Sequence, residues 1–268
     1  MSWRIVVISK RAKLDYQLGY LVVRNEEVTK IHLSEISTIL IESTAATVTT
    51  SLLAELTKKK IKVIFCDEKR NPNSELVPYY GAYNSSKKIK KQIAWNEEYA
   101  QGVWTQIVCQ KILNQANLLK KYEFDSYEKL SGYVREMEFF DSTNREGHAA
   151  KVYFNSLFGK GFSRDDMSSV NAALNYGYGI LLSNFNKEIV ADGYLTQLGI
   201  KHINEYNPFN LTCDLMEPFR VLVDEIVYNN IEKTFDKDFK LLLVDVLNRK
   251  VMYCGREYYL TNAIQIYL

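Results

Sequence analysis

With 268 residues, 47% of them hydrophobic and 25% charged, the chain is long enough for one large domain or two modest ones, and its composition is that of an ordinary soluble globular protein. A formal net charge of only +2 gives no strong prior for polyanion binding, so any nucleic-acid surface must come from local clustering. Four scattered cysteines (Cys66, Cys109, Cys213 and Cys254) with no Cys-x-x-Cys pair argue against a zinc module and for reduced thiols. No apolar run approaches a membrane span, so a cytoplasmic location without a membrane partner is expected. The 19 tyrosines are ascribed mainly to half-buried packing, with base stacking as the alternative.

The first third of the chain reads as β. Short apolar runs at Ile5 to Ile8, Tyr20 to Val23, Val28 to Leu33 and Ile36 to Ile41 are broken by turn residues and charges, which predicts an antiparallel sheet. Val48 to Lys59 carries helical spacing, Ile61 to Phe65 reads as a buried strand, and Asn71-Pro72-Asn73-Ser74 as a turn. Near residue 84 the pattern changes. Lys87-Lys88-Ile89-Lys90-Lys91 follows a polar break, and apolar residues from Ile93 to Leu113 then recur at helical spacing. Asp125-Ser126 opens a helix through Met137, Ser142 to Arg145 opens another to about Phe158, and Asp165-Asp166 is read as the cap of a central buried helix. Leu215 to Tyr228 and Phe239 to Leu247 are further helices, and Val251 to Gly255 a hairpin arm. The predicted architecture is α+β: a β-rich domain over 1–84, a linker over 85–95 and a larger all-α domain over 96–268.

Asp214-Leu215-Met216-Glu217-Pro218-Phe219-Arg220 is the stretch that could carry chemistry. Asp-x-x-Glu before an apolar run is also a capping box, in which Asp214 would accept from the Glu217 amide and Pro218 would sit in the first helical turn. His202, one of three histidines, lies in a polar segment where a surface role is the plain reading. Glu146 has a first-turn position favoured by the helix dipole, and Gly147, Ala149 and Ala150 after it permit close approach. His148, two residues on, points away from Glu146 on a helix. Two carboxylates and an imidazole suit a divalent ion such as Mg or Mn, but spacing alone does not bring the three together.

Glu146 through Phe154, Gly199 to His202, and Asp214 through Arg220 resemble, in order, the three motifs of the CRISPR-associated Cas-one integrase and endonuclease family. The opening Met1-Ser2-Trp3-Arg4-Ile5-Val6-Val7-Ile8 resembles its type II-A branch, and Asn175-Tyr176-Gly177-Tyr178 its central helix. Val221 departs from the proline common after Phe-Arg in the family. The resemblance implies Glu146, His202 and Glu217 as catalytic metal ligands for Mg2+ or Mn2+, with Asp214 behind them or as a minor ligand. It implies a homodimer joined through its β-domain, assembly with the Cas-two protein in a heterohexamer, and contact with other type II-A adaptation proteins.

The implied reaction inserts captured double-stranded DNA into a CRISPR repeat, a 3′-hydroxyl attacking a phosphodiester, with His202 active as the neutral imidazole. Candidate phosphate contacts are Arg145, Lys151, Arg164, Lys201 and Arg220, with the Lys87–Lys91 cluster as a further candidate and a solvated surface as the alternative for each. A stand-alone metal-dependent nuclease acting on branched nucleic acid shares the same residues. A non-catalytic nucleic-acid-binding scaffold would leave Asp214 and Glu217 as a simple cap.

Overall fold

Ile36–Ile41, the strand Ile-Ser-Thr-Ile-Leu-Ile, is buried at every position. An alternating strand would leave one face to water; this one has both faces covered, the mark of a parallel arrangement. In the computed structural model, which describes residues 4–78 and 84–268, it is the inner strand β5 of a sheet ordered β1-β5-β7-β8. Met1, Ser2 and Trp3 of the opening run lie outside the described residues. Strands β1 (Arg4–Ile8), β5 and β7 (Lys62–Cys66) are mutually parallel, and β8 (Pro72–Glu75) returns antiparallel beside β7. The expected turn at Asn71 to Ser74 therefore contributes most of a strand.

A second sheet, ordered β4-β3-β2-β6, holds β2 (Lys13–Gln17), β3 (Tyr20–Arg24), β4 (Val28–His32) and the short β6 (Thr47–Val48). Its first three strands form antiparallel hairpins, and Leu18 and Gly19 supply the two positive φ angles of the β2–β3 turn. The single antiparallel sheet expected from sequence is thus corrected to two sheets, one of them largely parallel. Parallel neighbours need a long crossover. Strands β2, β3 and β4 fill the connection from β1 to β5, and β6 with helix α1 (Thr50–Lys58) fills that from β5 to β7. The Thr49 hydroxyl caps α1 by accepting from the Leu52 amide, and Leu52 and Leu56 enter a core with Val6, Ile39, Val63 and Leu14.

The chain divides into two units, Met1–Ala82 and Tyr83–Leu268. The stretch read as a linker is a helix, α2 (Ser85–Ile93), and it belongs to the second unit. Its Gln92 is buried, with its amide nitrogen donating to the Leu195 and Leu198 carbonyls and its amide oxygen accepting from the Leu195 N–H. The change of composition near residue 84 marks the boundary between the units, but the buried Gln92 anchors this segment as a helix.

The second unit is helical. Helix α3 (Glu97–Lys121) has Asn96 as its cap, two glutamates in its first turn and two lysines in its last, which complements the helix dipole at both ends. Helices α4 (Tyr127–Arg135) and α5 (Arg145–Phe158) pack against it around Trp104, Val108, Ile112, Leu130 and Tyr153. Helix α6 (Ser169–Ala191) is buried along most of its length, as expected. Its start is corrected: Ser168 rather than Asp165-Asp166 is the cap, because the preceding loop is held by Asn171, which donates to the Ser163 and Asp166 carbonyls.

Helix α7 (Asn210–Met216) is followed by a 3-10 turn, Glu217–Phe219, and then by α8 (Val221–Tyr228). The continuous helix expected from Leu215 is therefore interrupted at Pro218, which has no N–H for the helical ladder. Gly177 of α6 faces α8, where a Cβ would collide with Val223. Helix α9 (Lys237–Val244), the hairpin of β9 (Lys250–Tyr253) and β10 (Arg256–Tyr259), and α10 (Leu260–Tyr267) complete the unit. Among the described residues no helix is long and apolar enough to cross a membrane.

Candidate functional site

Glu146 is the second residue of α5, and the loop before that helix is unusually well tied. Asp141 accepts from the Arg145 amide at 2.6 Å and from the Glu146 amide at 3.0 Å, and Asn144 accepts from the Gly147 amide. The Thr105 hydroxyl on α3 in turn accepts from the Phe140 amide. These bonds fix where the Glu146 backbone starts, although its side chain stays 27% exposed.

Glu217 sits at the break between α7 and α8, with a side chain 5% exposed. Lys111 of α3 stands between the two glutamates. Its ammonium donates to Glu146 Oε1 at 2.7 Å and lies 2.6 Å from Glu217 Oε2. The second contact is an ion pair without direction: no aligned hydrogen bond reaches that buried oxygen. Glu217 Oε1 is 2.9 Å from Arg220 Nη2, and the Arg220 guanidinium lies over the Tyr178 ring. Burial alone would push the Glu217 carboxyl up; Lys111 and Arg220 together outweigh it and hold the group below its ordinary range. The same pairing works in reverse on Lys111, where the two carboxylates overcome burial and keep the amine charged.

Asp214 is not a cap. It occupies the last turn of α7, fully buried, and gathers the segment before it: Oδ2 accepts from the Ile200 and Lys201 amides at 2.6 and 2.9 Å, and Oδ1 from the His202 amide at 3.2 Å and from His202 Nδ1 at 2.5 Å. The capping box is thereby corrected, since the helix carrying Asp214 begins upstream at Asn210. A carboxylate can only accept, so the His202 proton sits on Nδ1 and Nε2 is the remaining nitrogen. Trp104 meets the ring edge-on at 6.1 Å. The Asp214 hydrogen bond raises the His202 pKa against a partial loss from burial, and the charges of Glu217 and Glu146 add to the rise. Gly199 completes the clamp, because a Cβ there would run into the His202 carbonyl oxygen.

Of the residues singled out in the sequence, Glu146 and Glu217 are brought together on one ammonium, and His202 is oriented by Asp214 within their electrostatic reach. Among the described residues, however, no three His, Cys, Asp or Glu side chains converge closely enough to hold a metal ion as they stand. The side chains still fit one in kind. Two carboxylates and an imidazole nitrogen form a donor set for Mg2+ or Mn2+, an ammonium stands in as the cation between the carboxylates, and Glu217 Oε2 is a buried acceptor without an aligned donor. A histidine whose other nitrogen is held by a carboxylate is a common metal ligand.

The cationic candidates separate. Arg164 is engaged internally, donating to Asn171 and Asn175 and lying over Tyr178. Arg145 pairs with Glu136 at 3.0 Å, and Arg220 is committed to Glu217. Lys151 and Lys201 are exposed, Lys201 over the Phe140 ring at 3.8 Å. In the Lys87–Lys91 cluster, Lys87, Lys90 and Lys91 are exposed and Lys88 lies over Tyr194. A cleft of about 1140 Å³ between α3, α8 and the β9–β10 hairpin is lined in part by Gln110, Asn114 and Glu225, but by none of Lys111, Glu146, His202 and Glu217. Lys111 and Asp141 were missed from sequence. Lys111 had a signal: it lies between Val108 and Ile112, two apolar residues at helical spacing.

The sequence matches the family model described as CRISPR associated protein Cas1 over residues 5–244. It is 36% identical to the CRISPR-associated endonuclease Cas1 of Neisseria meningitidis serogroup C (strain 8013), over 87% of this chain and 77% of that protein. It is 25% identical to CRISPR-associated endonuclease Cas1 1 of Francisella tularensis subsp. novicida (strain U112), over 94% and 89%. Among solved structures, a casposase bound to integration product matches the fold with a TM-score of 0.75 at 20% identity, covering 99% of this chain and 88% of that one. A Cas1 protein from Thermotoga maritima matches with a TM-score of 0.75 at 15% identity, covering 98% and 94%. The family match spans both units and includes Glu146, His202 and Glu217, so the chain belongs to the CRISPR-associated Cas1 family.

Proposed function

We propose that this chain is a divalent-metal-dependent DNA endonuclease and integrase of CRISPR adaptation, and that Glu146, His202 and Glu217 form its centre. The observation that carries the reading is the pair of glutamates, distant in the chain, meeting on one cation beside a carboxylate-held histidine. The names of the relatives support an endonuclease, and the casposase neighbour, bound to integration product, supports strand joining on this fold. Other structural neighbours are a Cas6-RT-Cas1–Cas2 complex and a partial form of it, which supports a Cas2 partner, with homodimers of this chain as the unit of assembly.

In the reaction the donor's 3′ oxygen forms a bond to a target phosphorus, and the bond from that phosphorus to the target strand's own 3′ oxygen breaks. One phosphodiester replaces another, so no further energy source is needed. Mg2+ or Mn2+, held by Glu146, Glu217 and His202, would neutralise charge developing on the phosphoryl oxygens. The chain supplies the rest. Asp214 keeps the proton on His202 Nδ1 and so leaves Nε2 as the nitrogen that can ligate. Arg220 fixes one oxygen of Glu217 and leaves the other for the ion. Exposed Lys151 and Lys201 neutralise DNA phosphates near the centre.

A donor duplex with free 3′ ends and a repeat-containing target, offered with Mn2+ to the protein and its Cas2 partner, should give joined strands. Cleavage of either DNA without joining would favour the stand-alone nuclease, and no reaction together with no Mn2+ binding would favour the scaffold.

A further inference from the structure

Lys111 is an odd residue to find on the inner face of α3. Its side chain is only 14% exposed, and its ammonium is shared by two carboxylates, 2.7 Å from Glu146 Oε1 and 2.6 Å from Glu217 Oε2. Without it, two anions from separate elements would face each other in a setting that hides most of their surface. Like charges so placed repel strongly. The lysine thus does in the metal-free chain what a divalent ion would do in the loaded one. It does so imperfectly: an ammonium has tetrahedral donors, and here only Glu146 receives a directed one, while Glu217 Oε2 is left with charge but no aligned hydrogen.

We propose that Lys111 is an internal placeholder cation, and that a divalent ion and the Lys111 ammonium exclude each other from the Glu146–Glu217 pair. The inference rests on the reading of these glutamates as metal ligands. Both cations are drawn to the same pair of carboxylates, and a dipositive ion held there repels the ammonium already between them. Binding therefore displaces Lys111 from between the carboxylates, and the displaced amine moves toward solvent. Lys111 sets the metal affinity of the centre as a positioning residue: it keeps the carboxylates in place when no ion is bound and weakens binding when one arrives.

The test is isothermal titration calorimetry with Mn2+ alone on the full chain, comparing the native protein with Lys111→Gln and Glu217→Gln. Removal of a competing unit charge at this range should tighten Mn2+ binding by Lys111→Gln about tenfold or more, while Glu217→Gln loses binding. Melting in EDTA should show Lys111→Gln less stable than native, with Mn2+ raising its melting point by the larger margin. Unchanged or weaker Mn2+ affinity in Lys111→Gln, with binding lost in Glu217→Gln, would overturn the placeholder and leave the metal centre standing. Absence of Mn2+ binding in both the native protein and Lys111→Gln would overturn the metal reading itself. Should Lys111→Gln fail to fold, reductive methylation of the native protein decides the matter. Lys111 should be protected in EDTA and become reactive with saturating Mn2+; protection that persists with Mn2+ bound would overturn the proposal.

Discussion

Glu217 and Glu225 lie on the same tract of α7 and α8, and each is met by a lysine from α3 and by an arginine. At Glu225 the arrangement is complete. Oε1 accepts from Lys121 at 2.5 Å and from the Tyr122 hydroxyl at 3.3 Å, and Oε2 accepts from Arg249 at 2.6 Å. One carboxylate is held by two cations, with a directed donor on each oxygen. At Glu217 the lysine is divided with a second carboxylate, and one oxygen is buried without an aligned donor. The first centre is a clasp between α3, α8 and the residue before β9. The second has spare acceptor capacity, which is what a bound cation requires. Residue types alone do not separate the two; the count of carboxylates against directed donors does.

The largest expected contrast comes from neutralising each glutamate in turn. Glu217→Gln should lower strand joining by on the order of 10³-fold or more while the circular dichroism spectrum is unchanged. Comparable joining by Glu217→Gln and native protein would dissolve the distinction between the two centres. Asp224, next to Glu225 but turned inward onto the Tyr153 and Tyr178 hydroxyls, sharpens the picture through pH. Burial raises its carboxyl to about 6, against the lowering effect of the two tyrosine hydrogen bonds and of Arg220. The folded chain holds this proton more tightly than the unfolded one, so the stabilisation is full below about pH 4 and is lost as pH rises through about 6. Asp224→Asn should lack this dependence, so that urea melts at pH 4 and pH 7 differ between native and variant by on the order of 3 kcal/mol. Parallel pH profiles would show that Asp224 does not titrate there.

Asp214→Asn removes one acceptor from the set that gathers Ile200, Lys201 and His202, and should weaken Mn2+ binding by about 10–100-fold in calorimetry. Unchanged affinity would mean that His202 orientation is immaterial to the ion. The smallest effect belongs to the clasp. Glu225→Gln should cost about 1–2 kcal/mol in denaturant unfolding, kept low because Lys121 is well exposed, and should leave Mn2+ affinity unchanged. A loss of Mn2+ affinity there would make the two centres one coupled system.

The sequence made the two-part order and the position of the change near residue 84 legible, because apolar period and composition both shift there. It also made Glu146 and Glu217 legible as partners, through the order of the family motifs. Pairing direction in the first unit was hidden, since β1, β5 and β7 meet only across long connections and local alternation does not report their neighbours. The Asp214 role was hidden for a different reason. Asp-x-x-Glu reads the same whether it opens a helix or closes one, and only the start of α7 at Asn210 decides. Lys111 was hidden by distance, 35 residues from Glu146 along the chain, although a lysine amid Val108 and Ile112 needs an anionic partner if it is buried.

The most direct test of a metal centre at Glu146, His202 and Glu217 is anomalous diffraction from crystals of the chain soaked in Mn2+. The expected result is a single strong peak between the two carboxylates and His202 Nε2, with Lys111 no longer between them. Well-ordered density for Lys111 bridging Glu146 and Glu217 at saturating Mn2+, with no anomalous peak at the pair, would contradict the account.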